Sequence, residues 1–168
     1  MSIDFGPERW DRIRSAYSAW WNGELRRPLV SLTCPGRDPG RAAPSLAARP
    51  YTAQYDWSVS ADDIVDRWDY DVSRQYYLGD AFPCVWPNFG AGIAAAFLGC
   101  EVTVAENTVW FNPLPAAPLH DLHLRLVPEN RWRERVGAVV SAAARRWQGR
   151  VQVGMTDIGG TLDILASC

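Results

Sequence analysis

The stretch YYLGDAFPCVWPNFG, residues 76–90, followed by AGIAAAFLG, residues 91–99, decides how this chain can fold. It predicts a helix ending near Gly79, an extended apolar segment carrying two prolines, and then a short helix of small residues. Asp80 and Asn88 are polar residues in this apolar, aromatic segment, and burying such groups without partners costs roughly 2–7 kcal/mol. Asp80 therefore either fastens the backbone or faces a ligand. Asn88, next to Pro87, is typical of an Asx turn.

Composition limits the classes of protein that remain. The 168 residues fit one domain, and the net charge of −2 comes from interspersed acidic and basic residues, so no basic patch indicates a nucleic-acid partner. No apolar run approaches the ~18 residues of a membrane span, and the polar N-terminus is unlike a signal peptide. We therefore expect neither a nucleic-acid nor a membrane partner, and a cytoplasmic location. The four scattered cysteines predict free thiols rather than a disulfide framework.

Hydrophobic periodicity predicts alternating elements. Helices are expected at 7–22, 61–78, 92–98 and 131–148, the second beginning at a capping box at 60–63. A hairpin is expected at 101–104 and 108–111, and candidate parallel strands at 29–33, 81–86 and 151–156. A further helix begins after Gly160. The order indicates an α/β fold with a parallel sheet. Because three such strands do not close a sheet, we expect residues 1–168 to form a single incomplete domain, with Leu162, Ile164 and Leu165 lacking packing partners.

Several side chains could carry chemistry. Asp157 follows a predicted parallel strand, the place where α/β barrels build their active sites, although it could equally cap the next helix. Gly159 and Gly160 would bring backbone N–H groups to that helix start. Arg37 could hold an acidic substrate or be a solvated loop residue. The nine tryptophans could form core or wall a flat apolar ligand, and we include Trp86 and Asn88 as candidate substrate-binding residues.

The only two histidines, His120 and His123, form an H-x-x-H pair. If Leu122 lies in a strand, residues three apart point to opposite faces, which would prevent a shared metal site. The sequence therefore predicts no metal site in this chain.

Six segments, taken in their order and spacing, resemble the uroporphyrinogen decarboxylase superfamily. They are residues 79–83 (GDAFP), 87–90 (PNFG), 95–99 (AAFLG), 106–111 (ENTVWF), 129–132 (ENRW) and 156–163 (TDIGGTLD). The chain is most similar to decarboxylase-like members related to the methylcobamide:coenzyme M methyltransferases. The resemblance implies the first half of a (β/α)8 barrel, with its site at the carboxyl ends of the strands and Asp80 and Asp157 as candidate catalytic residues.

The family pattern is only partly present. Its members carry a segment of the form M-R-Q-A-G-R, whose arginines bind substrate carboxylates. Here that segment reads LTCPGR, residues 32–37, so Thr33 replaces the first arginine and only Arg37 matches. This departure counts against a multiply anionic tetrapyrrole substrate. The family's aspartate that contacts pyrrole N–H groups falls in the region of Asp80.

The methyltransferase branch binds zinc through a His-x-Cys and a later Cys, which lie in the second half of the family and are absent from this chain. The resemblance thus implies the N-terminal half of a corrinoid-linked methyltransferase, inactive alone, with a corrinoid protein as a partner and zinc only in the C-terminal half. The alternatives are a tetrapyrrole decarboxylase-like enzyme, a non-catalytic tryptophan-rich module for a small ligand, and a half-barrel that closes as a homodimer.

Overall fold

The computed structural model describes residues 3–113, 115, 118–121 and 123–167, and in this part of the chain the architecture is mixed α/β. The helices are α1 (Pro7–Trp21), α2 (Ala61–Ser73), α3 (Ile93–Phe97), α4 (Arg131–Trp147) and α5 (Thr161–Ala166). The strands are β1 (Ser31–Pro35), β2 (Gln75–Gly79), β3 (Cys84–Val85), β4 (Glu101–Val104), β5 (Val109–Asn112) and β6 (Gln152–Val153). Residues 123–130 form no strand or helix, and the predictions that involve Leu122 and Cys168 lie outside the described residues.

The strands form three separate two-stranded sheets rather than one parallel sheet. β3 pairs in parallel with β6, as the sequence predicts, and β4 and β5 form the predicted hairpin. β1, however, pairs antiparallel with β2, so the expected parallel strand at 29–33 is wrong. Among the described residues no closed barrel is present.

The predicted helix at 61–78 stops at Ser73, because residues 75–79 form β2. Tyr77 is buried while Tyr76 and Leu78 are exposed, which is the alternation of a strand with one face on the core. The start of α2 matches its prediction, since the Asp63 N–H donates to Ser60 Oγ at 3.1 Å and the Ser60 hydroxyl donates to Asp63 Oδ2 at 2.7 Å.

Two helices, α2 and α4, organise the core. Trp147 is fully buried at the end of α4, and its indole Nε1 donates to Asp69 Oδ1 of α2 at 2.9 Å. Arg146 also binds Asp69, at 3.1 Å, so the buried carboxylate joins the two helices. At the other end, Asn130 caps α4 by accepting from the N–H groups of Trp132 and Arg133.

The last described helix, α5, contributes no buried residue to the core. Leu162 and Leu165 are exposed, as predicted, but the prediction for Ile164 is wrong, because this side chain is half-buried and packs beside Gly159. No helix within the described ranges is both long enough and apolar enough to cross a membrane.

Candidate functional site

The candidate site lies where β3 and β6 end. Cys84 pairs with Gln152 and Val85 with Val153, and the Gly154 N–H extends the ladder by donating to the Val85 carbonyl at 2.8 Å. Because the strands are parallel and in register, the segments that follow them, 86–92 and 154–160, leave the sheet at the same end. The carboxyl ends of parallel strands are where α/β folds place their ligands.

Trp86 is the first residue after β3. Its indole Nε1 donates to the Met155 carbonyl at 2.9 Å, which ties the ring to the segment after β6. Gly154 lies against the same ring, since a Cβ at this glycine would stand 3.5 Å from Cδ1 of Trp86. The ring is therefore held in one orientation while 52% of the residue remains exposed. A fixed and exposed indole is suited to contact with a flat apolar group.

Asn88 forms the predicted Asx turn: its Oδ1 accepts from the Gly90 N–H at 3.1 Å. Its Nδ2 donates to the Pro50 carbonyl at 3.3 Å, and its own carbonyl accepts from the Thr52 N–H at 2.6 Å. Both ends of the side-chain amide thus have partners within the chain. The observed contacts fasten the segment after β3 to the loop at residues 50–52.

Asp157 forms an equivalent turn after β6. Its Oδ1 accepts from the Gly159 N–H at 2.9 Å, and the helix that follows has Gly160, not Asp157, at its N-cap. The alternative role as a helix cap is therefore not the observed one. Asp157 Oδ2 has no hydrogen-bond partner among the described residues, so this oxygen remains available as an acceptor. The neighbouring Thr156 is buried, and its hydroxyl also has no partner in this part of the chain.

A glycine pair brings the two strand-end segments into contact. Gly159 adopts φ +80°, and a Cβ there would lie 2.9 Å from the Cα of Gly92. Only glycine fits this approach without displacing backbone. Gly160 is different, because its backbone is extended and its nearest neighbour is the flexible Asp163 carboxylate at 3.0 Å. The structure thus joins the segment that carries Trp86 and Asn88 to the segment that carries Asp157, Gly159 and Gly160.

Asp80 is held in another part of the fold. Arg27 binds its carboxylate with both guanidinium nitrogens, at 2.5 and 2.8 Å, and the Val30 N–H donates to Oδ2 at 2.8 Å. The Arg27 hydrogen bonds, followed by that of Val30, lower the pKa of Asp80 from 3.8 to about 2, against a smaller opposing effect of desolvation. The sequence left two roles open for Asp80, fastening the backbone or facing a ligand. The observed partners correspond to the first of these roles.

Arg37 also lies apart from the strand ends. Its Nη1 donates to the carbonyl of Ser73, the last residue of α2, at 2.7 Å. It lines an open cleft of about 630 Å³, together with Asp38, Pro39, Gly40, Arg41, Asp69 and Arg146. Arg41 and Arg146 both bind Asp69, so aspartates already balance much of the positive charge in this cleft.

Over the described ranges, no three His, Cys, Asp or Glu side chains come close enough to hold a metal ion. His120 and Asp121 approach at 3.4 Å on the surface, where both are exposed. The described residues therefore do not offer the ligand set that zinc requires in the methyltransferase branch.

Sequence reasoning missed three residues that shape these sites: Arg27, Gly92 and Met155. Arg27 stands 53 residues before the aspartate it binds, and Met155 contributes only a backbone carbonyl, so neither carries a local signal. Gly92 could have been noticed, because a glycine at the start of a helix of small residues often marks close backbone approach.

Comparison with known proteins adds no relative: no family model, no curated protein and no solved structure matches this chain.

Proposed function

We propose that this chain is the N-terminal portion of a uroporphyrinogen decarboxylase-like enzyme that, when complete, transfers a methyl group to or from a corrinoid carrier. In this proposal β3 and β6 are neighbouring strands of a partial (β/α)8 barrel. The observation that carries it is the contact between the segments after β3 and β6, where Gly92 meets Gly159 and the Trp86 indole donates to the Met155 carbonyl. A site shared by two strand-end loops is the arrangement that barrel enzymes use.

The residues of this chain would bind and orient rather than perform the transfer. Trp86 would pack against a flat apolar part of the ligand, and Asp157 Oδ2 would accept a hydrogen bond from it. Asp80 would act as a positioning residue, because its oxygens already bind Arg27 and the Val30 N–H. The family's methyl transfer also needs a zinc-bound thiolate, and since the described residues do not supply that ligand set, no step of the reaction is assigned to them.

The test begins with the coding DNA beyond the codon for Cys168 and with the protein that it encodes. We expect a continuation that contains a His-x-Cys and a later Cys. The purified product should demethylate methylcobalamin in the presence of a thiol acceptor, which the absorbance change to cob(I)alamin reports. A continuation without these ligands, or a protein that neither binds nor demethylates methylcobalamin, would contradict the methyl-transfer proposal.

Two substitutions of aspartate by asparagine, compared in the same assay, test the role of the candidate site. Asp157→Asn should lower kcat/KM at least about tenfold, a loss of about 1.4 kcal/mol of transition-state stabilisation. The substitution leaves either a neutral amide oxygen or an amide NH2 group, which cannot accept a hydrogen bond, in the place of the carboxylate oxygen. Asp163→Asn serves as the control, since Asp163 is exposed on α5 on the other side of Gly160. Equal activities for the two variants would argue against a role for Asp157.

A second candidate function, a binding module for a planar apolar ligand, is favoured by the fixed and exposed indole of Trp86. Protoporphyrin titration of the chain, followed by tryptophan quenching, tests it. Trp86→Ala should weaken binding, whereas Trp21→Ala, which removes a residue 82% exposed on α1, should not. Equal affinity for all three proteins would exclude the Trp86 surface as the binding site.

A further inference from the structure

Two short helices, α3 and α5, lie side by side and are in contact at both ends. Where they begin, a Cβ at Gly159 would lie 2.9 Å from the Cα of Gly92. Where they end, the Cys100 thiol donates to the Ser167 carbonyl, with the sulfur 2.7 Å from the oxygen. Cys100 comes eight residues after Gly92, and Ser167 comes eight residues after Gly159. The two segments therefore run parallel and in step from the first contact to the second.

The end of α3 fixes the position of Cys100. Gly99, just before it, adopts φ +105° and donates its N–H to the Ala96 carbonyl at 3.1 Å. The Cys100 N–H donates to the Ala95 carbonyl, also at 3.1 Å. These are the two bonds of a Schellman motif, which holds the second residue beyond the helix cap in place. Cys100 is buried and carries a thiol in this structure, so its sulfur is held beside the end of α5.

Cys168 follows Ser167 directly in the sequence. A trans peptide bond holds each Cα about 3 Å from the carbonyl oxygen that precedes it. Because the Ser167 oxygen is 2.7 Å from the Cys100 sulfur, the Cα that follows this carbonyl lies within about 6 Å of that sulfur. In a disulfide, the sulfur of one cysteine lies roughly 4 Å from the Cα of the other. The contact between Cys100 and Ser167 therefore leaves the next residue of the chain within disulfide reach.

We propose that Cys100 and Cys168 form a disulfide when the chain meets a low-molecular-weight disulfide such as oxidised glutathione. One cysteine thiolate attacks a glutathione sulfur, the glutathione S–S bond breaks, and one glutathione thiolate leaves. The second cysteine thiolate then attacks the protein sulfur of this mixed disulfide and releases the second glutathione. Two protein thiols are thereby oxidised and one glutathione disulfide is reduced. The two protons of the cysteine thiols pass to the two glutathione thiolates.

The other two cysteines provide matched controls. Cys34 stands opposite Tyr76 in the β1–β2 pair, and Cys84 stands opposite Gln152 in the β3–β6 pair. Neither cysteine thus has another cysteine across its strand pair. Both are exposed, so their replacement by serine leaves the core in place.

The disulfide would give α5 an anchor that its packing does not provide. α5 contributes no buried residue, and a segment with few buried contacts opens readily. The bond would close the last end of the α3–α5 pair, while Gly92 and Gly159 close the first. Because α5 directly follows the segment of Asp157, the redox state of the two cysteines would set how firmly that segment is held. This inference goes beyond the proposed function and does not depend on methyl transfer.

Peptide mapping after equilibration with oxidised glutathione tests the bond. The remaining thiols are alkylated in denaturant before digestion with trypsin, which cleaves after arginine and places Cys100 in peptide 75–125 and Cys168 in peptide 151–168. We expect these two peptides to be linked until a reductant is added. Because the first peptide also contains Cys84, Cys84→Ser should give the same linked pair, and Cys100→Ser should not. Four alkylated cysteines in the wild type, a linked pair in Cys100→Ser, or a bond only between separate chains would overturn the proposal.

Hydrogen exchange followed by mass spectrometry tests the consequence for α5. Amide exchange in α5 should slow at least about tenfold in the oxidised chain, because a helix that is tied at its end opens less often. Exchange in α1, which contacts neither cysteine of the pair, serves as the internal reference. Cys168→Ser, which changes only the last residue of the sequence, should exchange like the reduced wild type after the same treatment. Equal exchange in the oxidised and reduced wild type would overturn the anchoring of α5 by the bond.

Discussion

Arg27 holds Asp80 through two hydrogen bonds between its guanidinium and the carboxylate, Nη1 to Oδ2 at 2.5 Å and Nη2 to Oδ1 at 2.8 Å. The same carboxylate accepts from the Val30 N–H, just before β1, while Asp80 itself directly follows β2. A single buried side chain thereby joins the start of one strand to the end of its neighbour. This connection stabilises the β1–β2 sheet.

The first prediction concerns Asp80→Ala. The Val30 N–H loses its side-chain acceptor, so we expect the free energy of unfolding in urea to fall by about 1–3 kcal/mol. Asp11→Ala is the control: Asp11 is an exposed partner of Arg14, and its removal should change that free energy by about 1 kcal/mol or less. An Asp80 variant as stable as the control would show that this junction contributes little.

The same residue predicts how stability depends on pH. The pKa of Asp80 is lowered in the folded chain, from 3.8 to about 2, so its contribution is fully present above 3.8. That contribution should be lost as the pH falls from about 4 towards 2, when the carboxylate becomes protonated. Urea unfolding of the wild type and of Asp80→Ala at successive pH values should therefore converge over this interval. A constant difference down to pH 2 would contradict the lowered pKa.

The third prediction concerns the buried bond between α2 and α4. Trp147→Phe removes the indole N–H that donates to Asp69 and should lower the free energy of unfolding by about 1–3 kcal/mol. Trp21→Phe makes the same chemical change at an exposed position and should stay within about 0.5 kcal/mol. Urea unfolding followed by circular dichroism provides the comparison, and equal losses for the two variants would exclude a special role for the buried bond.

The fourth prediction separates the two neighbouring glycines of the candidate site. Gly159→Ala places a Cβ against the Gly92 backbone at positive φ, and we expect it to cost at least about 1 kcal/mol. Gly160→Ala meets only the movable Asp163 carboxylate and has negative φ, so thermal melting should show a much smaller change. Loss of stability in the second variant but not in the first would contradict the contact between the two strand-end segments.

Much of the helical part of the fold could be predicted from the sequence. The apolar repeat of α4 and the cap at Asn130 are local signals, and the helix ends within one residue of its expected limit. At the candidate site, the turn formed by Asn88 was also predictable, because an Asx turn needs only its own residue and the second residue after it. The closing of the Gly159 loop on Gly92 was not, since those residues are far apart in the chain.

The failed predictions involve strand pairing. Residues 75–79 continue the apolar repeat of α2, and a helix there satisfies every local rule. They form β2 instead because β1 supplies hydrogen-bond partners and the core accepts Tyr77. Local propensity is worth tenths of a kcal/mol per residue, which such tertiary contacts readily exceed.

By itself, the sequence determined the α/β class of the fold, the positions of most helices and turns, and the approximate positions of β3 and β6. These follow from side-chain periodicity, from capping and from residues that act within one or two turns of chain. Only the tertiary structure decided that β1 runs antiparallel to β2, that Arg27 binds Asp80, and that Trp86 meets the segment after β6. Each of these depends on contacts between residues about 40 to 70 positions apart, and the energy of such contacts is set by packing that no local pattern encodes.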